Sequence, residues 1–149
     1  MAKINGLSGR AYAAVPVFLL LLSCGNEKKE TSAESGTTSV IAAIASESEF
    51  NAVVENSPNK LLVIDLYADW CVPCRILSPM LEKIAQNNTW RAAFYKVNID
   101  KFPQIARSFG VRGIPHVAFM KNRNVIEALV GVQPEEAYMK VIAENASTP

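Results

Sequence analysis

Cys71 and Cys74 stand three residues apart in Trp70-Cys71-Val72-Pro73-Cys74, directly after the apolar run Leu61-Leu62-Val63-Ile64-Asp65-Leu66-Tyr67. Two thiols at that spacing, at a strand-to-helix junction, can close a small disulfide and reopen it. They share a first helical turn, where unpaired backbone N–H groups and the helix dipole favour a thiolate over a thiol. Pro73 has no amide hydrogen, which costs nothing in a first turn, and its fixed φ suits a helix start. The alternative is a buried structural pair or half of a zinc site. A four-ligand zinc site needs two more ligands at matching spacing, and the chain offers only Cys24 and His116, far apart in sequence. The spacing therefore reads as redox chemistry without a metal or other bound cofactor.

Asp65 is the second residue that resists a bland explanation. A carboxylate in a strand otherwise apolar on both faces carries a large desolvation penalty unless it is paired or protonated. Satisfaction by backbone donors is the structural alternative. His116 is the only histidine; as the first residue of a strand it can point toward the cysteines or away from them.

The elements that must position these groups follow from the pattern. Residues 40–45 form a short apolar run suited to a first strand. Ser46-Glu47-Ser48-Glu49 matches a capping box, with Phe50, Val53 and Val54 following at helical spacing. Residues 60–67 read as a central strand covered on both sides. Residues 71–87 read as a helix with Ile76, Leu77, Met80, Leu81 and Ile84 on its apolar face, and Pro79 inside it predicts a kink. A strand over 92–99, a short helix over 103–109, strands over 117–120 and 125–130, and a closing helix after Pro134 complete the order β-α-β-α-β-α-β-β-α. Strands alternating with helices imply an α/β fold, a mixed sheet with helices on both faces.

The ends of the chain carry different information. Lys3 and Arg10 precede an uncharged apolar stretch over 11–22, too short to span a bilayer but suited to a secretion signal. The stretch closes on Leu21-Leu22-Ser23-Cys24, which resembles the bacterial lipobox. That resemblance implies a signal peptide over 1–23 and a lipid on Cys24. Residues 25–39 hold one alanine and no larger apolar side chain, the composition of a solvated tether. Its coil-like reach is about 20 Å, and its full extension roughly 50 Å. The expected organisation is thus signal 1–23, lipidated cysteine and tether 24–39, and one domain over 40–149. Without Lys3 and Arg10 the chain has 13 basic against 14 acidic side chains, which argues against a nucleic-acid surface.

Several separated segments together resemble the thioredoxin family across essentially the whole domain. They are Val63-Ile64-Asp65-Leu66-Tyr67-Ala68-Asp69-Trp70-Cys71, Pro79, Lys96-Val97-Asn98-Ile99-Asp100, Phe109-Gly110-Val111-Arg112-Gly113-Ile114-Pro115, and Gly131. There are departures: Val72-Pro73 stands where thioredoxin has Gly-Pro, Arg75 where a lysine is usual, and His116 where a threonine follows the special proline. The stretch from Asp65 to Val72 also resembles the periplasmic C-terminal domain of DsbD-type reductant conductors.

The resemblance implies a thioredoxin fold and a Cys71–Cys74 redox disulfide. Cys71 would attack from the position after Trp70 that the family leaves exposed, and Cys74 would resolve the mixed disulfide. Asp65 would lie beneath Cys74 as its base, with Lys96 as the neighbour of that aspartate. Ile114-Pro115 would be a cis peptide that offers backbone to an extended substrate chain. Trp70 and Tyr67 would frame the site, Asp69 would adjust its charge, and Arg75 would hold the thiolate or lie in solvent. The expected function is a membrane-tethered, extracytoplasmic protein-disulfide reductase of the bacterial envelope, a monomer. Its electrons would come from a membrane donor of DsbD type, and its substrates would be envelope disulfide proteins such as apocytochromes c. An oxidase or isomerase of the same fold, and a lipoprotein that holds clients without turnover, are the competing classes.

Overall fold

A computed structural model of the chain describes residues 39–146. The proposed signal, Cys24 and the tether up to residue 38 lie outside the described residues. The elements are β1 (Ala42–Ala43), α1 (Glu47–Glu55), β2 (Leu61–Tyr67), α2 (Val72–Asn88), β3 (Ala92–Asn98), α3 (Pro103–Ser108), β4 (His116–Lys121), β5 (Asn124–Val130) and α4 (Glu135–Asn145). They form one five-stranded sheet in the order β1-β3-β2-β4-β5. β1, β3 and β2 run parallel, whereas β4 runs antiparallel to β2 and β5 antiparallel to β4. Among the described residues no helix is long and apolar enough to cross a membrane.

β2 is central because its sequence is apolar at both parities, so side chains of both faces find cover. Leu61 and Val63 pack with Val117 and Phe119 of β4, Leu77, Leu81 and Ile84 of α2, and Tyr138 and Ile142 of α4. Leu62, Ile64 and Leu66 face the other way, into Phe50 of α1, Ile105 of α3, Val97 and Ala118. Phe50 and Phe109 meet edge to face at 5.8 Å. Each fully buried leucine or isoleucine contributes about 1.5–3 kcal/mol relative to exposure.

Local signals act largely as the sequence suggests. Ser46 caps α1 by accepting the Glu49 N–H at 3.1 Å. The reciprocal bond of the box falls one residue earlier, from Ala45 N–H to Glu49 Oε2 at 2.8 Å. α2 runs on through Pro79.

Three expectations need correction. β1 is only two residues long, because its pairing with β3 is confined to Ala42↔Tyr95 and Ala43↔Lys96. Ser39, assigned to the tether, is held against α2: Glu82 Oε2 accepts from Ser39 Oγ at 3.0 Å, and Glu82 Oε1 accepts from the Val40 N–H. Ile76, assigned to the apolar face of α2, is 63% exposed. The buried stripe is Cys74, Leu77, Leu81 and Ile84, and a residue next to Leu77 is turned about 100° away from it.

Candidate active site

The four long strands β2, β3, β4 and β5 bring Tyr67, Asn98, His116 and Val130 to one edge of the sheet. The cysteines sit on that edge. Ala68, Asp69 and Trp70 link β2 to α2, whose N-cap is Cys71, with Pro73 in the first turn. The Cys71 N–H donates to Ala68 O at 3.1 Å, and the Cys74 N–H donates to Cys71 Sγ at 3.1 Å. Cys71 Sγ therefore receives one of the orphan N–H groups of the helix start, the arrangement that favours a thiolate.

Cys71 and Cys74 are joined as a disulfide (S–S 2.06 Å). The exposed position expected for Cys71 is not found: Cys71 is 2% exposed and Cys74 5%. Ala68 with the partly buried Tyr67, Ile99 and Ile114 packs around the pair, so exposure does not tell the two sulfurs apart. Their polar surroundings do.

Asp65 is 7% exposed on β2. It shares a face of the sheet with Val63 and Val117, against which α2 packs. It lines a cavity of about 220 Å³ together with Cys74, Arg75, Ser78 and Lys96, and Cys71 does not border that cavity. Asp65 Oδ1 is buried and finds no donor among the described residues. Burial pushes the carboxyl up to about 6, and the Lys96 charge pulls the other way. Asp65 is thus a group that holds a proton just below neutral pH. Lys96 is its direct register partner on β3, which puts both side chains on one face.

The remaining site residues frame this centre. Trp70 is 65% exposed and donates its indole N–H to Asp100 Oδ2 at 2.9 Å. The Arg75 guanidinium donates to the Asp69 carbonyl at 3.0 Å, so it steadies the loop before Cys71. Ile114-Pro115 is cis, and the Pro115 carbonyl accepts the Gly131 N–H at 2.8 Å. That bond ties the end of β5 to the cis-proline turn. Val72, Ile76, Val130 and Val132 are exposed apolar side chains, available to a docked polypeptide.

His116 lies elsewhere. It pairs with Leu66 on β2 and so faces the α1/α3 layer, on the side of the sheet opposite Asp65. It is 6% exposed, and neither ring nitrogen has a hydrogen-bond partner among the described residues. Burial lowers its pKa from the usual imidazole value. Asp100 carries no chemical motif in the sequence beyond its place in the segment Lys96-Val97-Asn98-Ile99-Asp100. Its signal was its place just past a strand end, where Asn98 Oδ1 accepts the Asp100 and Lys101 N–H groups and fixes the loop.

The Thioredoxin family model matches residues 40–144. The chain belongs to the thioredoxin family. It is 34% identical over 107 residues to a thioredoxin of Malassezia sympodialis, covering 71% of this chain and all of the relative. It is 37% identical over 90 residues to thioredoxin H4 of Arabidopsis thaliana, covering 60% and 76%. Among solved structures, a Malassezia sympodialis thioredoxin superposes with a TM-score of 0.66 at 32% identity, covering 72% of this chain and 91% of that one. Thioredoxin NaTrxh of Nicotiana alata superposes with a TM-score of 0.69 at 27% identity, covering 73% and 95%. The thioredoxin fold and thiol–disulfide oxidoreductase chemistry through the Cys71–Cys74 pair follow from these matches together with the disulfide.

Proposed function

We propose that this thioredoxin-family enzyme is a lipid-tethered, extracytoplasmic protein-disulfide reductase with Cys71 as nucleophile, Cys74 as resolving thiol and Asp65 as the base for Cys74. The observation that carries the role assignment is the asymmetry of the two sulfurs: Cys71 Sγ takes a helix N–H, whereas Cys74 alone borders the cavity that holds the buried Asp65. In the reduced enzyme the Cys71 thiolate attacks a substrate disulfide, forming a mixed disulfide and releasing one substrate thiolate. Cys74 gives its proton to Asp65 and attacks Cys71 Sγ. The Cys71–Cys74 disulfide forms, the second substrate thiolate leaves, and two electrons have passed to the substrate. Ile114 and Pro115 offer backbone, and Trp70 a wall, to the extended substrate segment.

The envelope location rests on the signal-like residues 1–23 and on Cys24 after Leu21-Leu22-Ser23. In an oxidising envelope a reductase needs a supply of electrons. A membrane donor of DsbD type would supply it, with envelope disulfide proteins, apocytochromes c among them, as acceptors. The reduction potential of the Cys71–Cys74 couple tests the direction. A value near the roughly −270 mV of thioredoxin supports a reductase, and one near the roughly −120 mV of DsbA marks an oxidase. Insulin reduction by the wild type and its loss in Cys71→Ser separate both from a client-binding role. Incorporation of labelled lipid that is lost in Cys24→Ala tests the anchor.

A further inference from the structure

The cavity lined by Asp65 and Cys74 has a neighbouring groove that shares four of its lining residues. Asp65, Arg75, Ser78 and Lys96 also line a groove of about 430 Å³ together with Ser39, Ile41, Pro79 and Glu82, and neither cysteine borders this groove. Ser39 and Ile41 thus border a second, rear approach to the buried carboxylate that does not pass the sulfurs. The sheet does not hold the strap of residues 39–41, because the β1–β3 pairing begins only at Ala42. Ile41 is anchored by burial in the core, and Glu82 holds Ser39 and Val40. One carboxylate oxygen accepts the Val40 N–H and the other lies 3.0 Å from Ser39 Oγ, whose single proton is shared with Ile41 O at 3.0 Å. A half-buried carboxylate in the middle of α2 thus spends both oxygens on two residues outside the regular structure.

We propose that Glu82 is a positioning residue for Asp65: it clamps the strap of residues 39–41 at the rear groove, and the clamp limits how freely water reaches the carboxylate. The inference rests on the reading of Asp65 as the base for Cys74. A proton taken from Cys74 Sγ by Asp65 must pass on to solvent, and the rear groove is a route that bypasses the sulfurs. With the strap closed Asp65 stays poorly hydrated and holds its proton to a higher pH. With the strap open, water stabilises the carboxylate and the proton is lost at lower pH. The charged and titratable groups around Asp65 are Tyr67 on β2, Lys96 on β3, Cys74, Arg75 and Glu82 on α2, Asp69 in the preceding loop and the Tyr138 hydroxyl on α4. Glu82 also bears a charge, so its clamping and electrostatic effects must be separated.

Glu82→Ala and Glu82→Gln in the full chain separate them. Gln keeps an oxygen for the Val40 N–H and an amide for Ser39 Oγ, but has no charge. Three readouts are needed: hydrogen exchange at the Val40 amide, the Asp65 carboxyl titration followed by ¹³C NMR, and the pH profile of mixed-disulfide resolution. The expected result in Glu82→Ala is lost Val40 protection and an Asp65 midpoint about one pH unit lower, with Glu82→Gln close to wild type. Equal shifts in both variants would mean that Glu82 acts by charge and would overturn the clamp. So would an unchanged Asp65 midpoint despite lost Val40 protection, or unchanged Val40 protection. A shifted Asp65 midpoint with a resolution rate indifferent to pH in every form would support the clamp and sink the base role instead. If Glu82→Ala fails to fold, Ser39→Ala removes one of the two clamped groups and is expected to move the same readouts in the same direction.

Discussion

Asp65→Asn is expected to make the domain more stable at neutral pH and slower to resolve mixed disulfides. In the folded chain burial raises the Asp65 carboxyl from 3.8 to about 6. Between those values the unfolded chain has released its proton while the folded chain still holds one, so stability falls as pH rises through the window and levels off above it. A shift of that size corresponds to a penalty of about 3 kcal/mol at pH 7 and above, absent below pH 4. The amide keeps the shape and cannot ionise. Urea unfolding of both proteins from pH 4 to 8 should therefore give curves that coincide at the acid end, with the variant ahead by up to about 3 kcal/mol at the neutral end. Taking the difference between the two proteins removes other titrating groups that do not couple to this site. In quenched-flow assays the variant should accumulate the Cys71 mixed disulfide, most strongly at or below neutral pH, where spontaneous loss of the Cys74 proton is rare. A stability difference that does not change with pH would refute the electrostatic reasoning. A less stable variant would show that hydrogen bonds to the carboxylate matter more than its burial.

Lys96→Met removes the cation that holds the Asp65 carboxyl down; its midpoint should rise above the wild-type value of about 6, and the acid limb of mixed-disulfide resolution should move to higher pH with it. His116→Phe should gain stability relative to wild type as pH falls from 7 to 5 in urea titrations. The folded imidazole has a lowered pKa, so the unfolded chain takes up the proton first and wild-type stability is lost below the ordinary imidazole range. Asp100→Ala frees the Trp70 indole; the cost in stability should be about 1 kcal/mol or less, whereas KM for a protein disulfide should rise with little change for a small disulfide.

The fold was legible because its signals are local and redundant. β2 is apolar at both parities, Ser46 and Glu49 mark a helix start, and Cys71-Val72-Pro73-Cys74 marks another. Boundaries slipped where backbone pairing decides them. Val40 and Ile41 look as strand-like as Ala42, but the Val40 N–H is taken by Glu82, 42 residues away in sequence, and not by the ladder. Ile76 has the right composition for a core position and the wrong angle. In the site, Asp65 was conspicuous as a charge in an apolar strand, and the parallel register that sets Lys96 beside it required only the fold. The burial of Cys71 was hidden because Ala68, Ile99 and Ile114 come from three separate loops. Asp100 was hidden for a similar reason, since its bond to Trp70 spans thirty residues.

With the chemistry gathered at one edge of the sheet, the other edge is left to the connections of residues 56–60, 89–91 and 122–123. Asn122 and Arg123 both have positive φ in the hairpin between β4 and β5, and both are exposed. Surface hairpin tips of this kind tolerate insertion. A fluorophore, an affinity handle or an entire second domain spliced there would ride at the far end from the sulfurs. Exchange of specificity, by contrast, has to be made by substitution: the strand ends that carry Tyr67, His116 and Val130 are set by hydrogen-bonded register, and added length there would pull the rim apart.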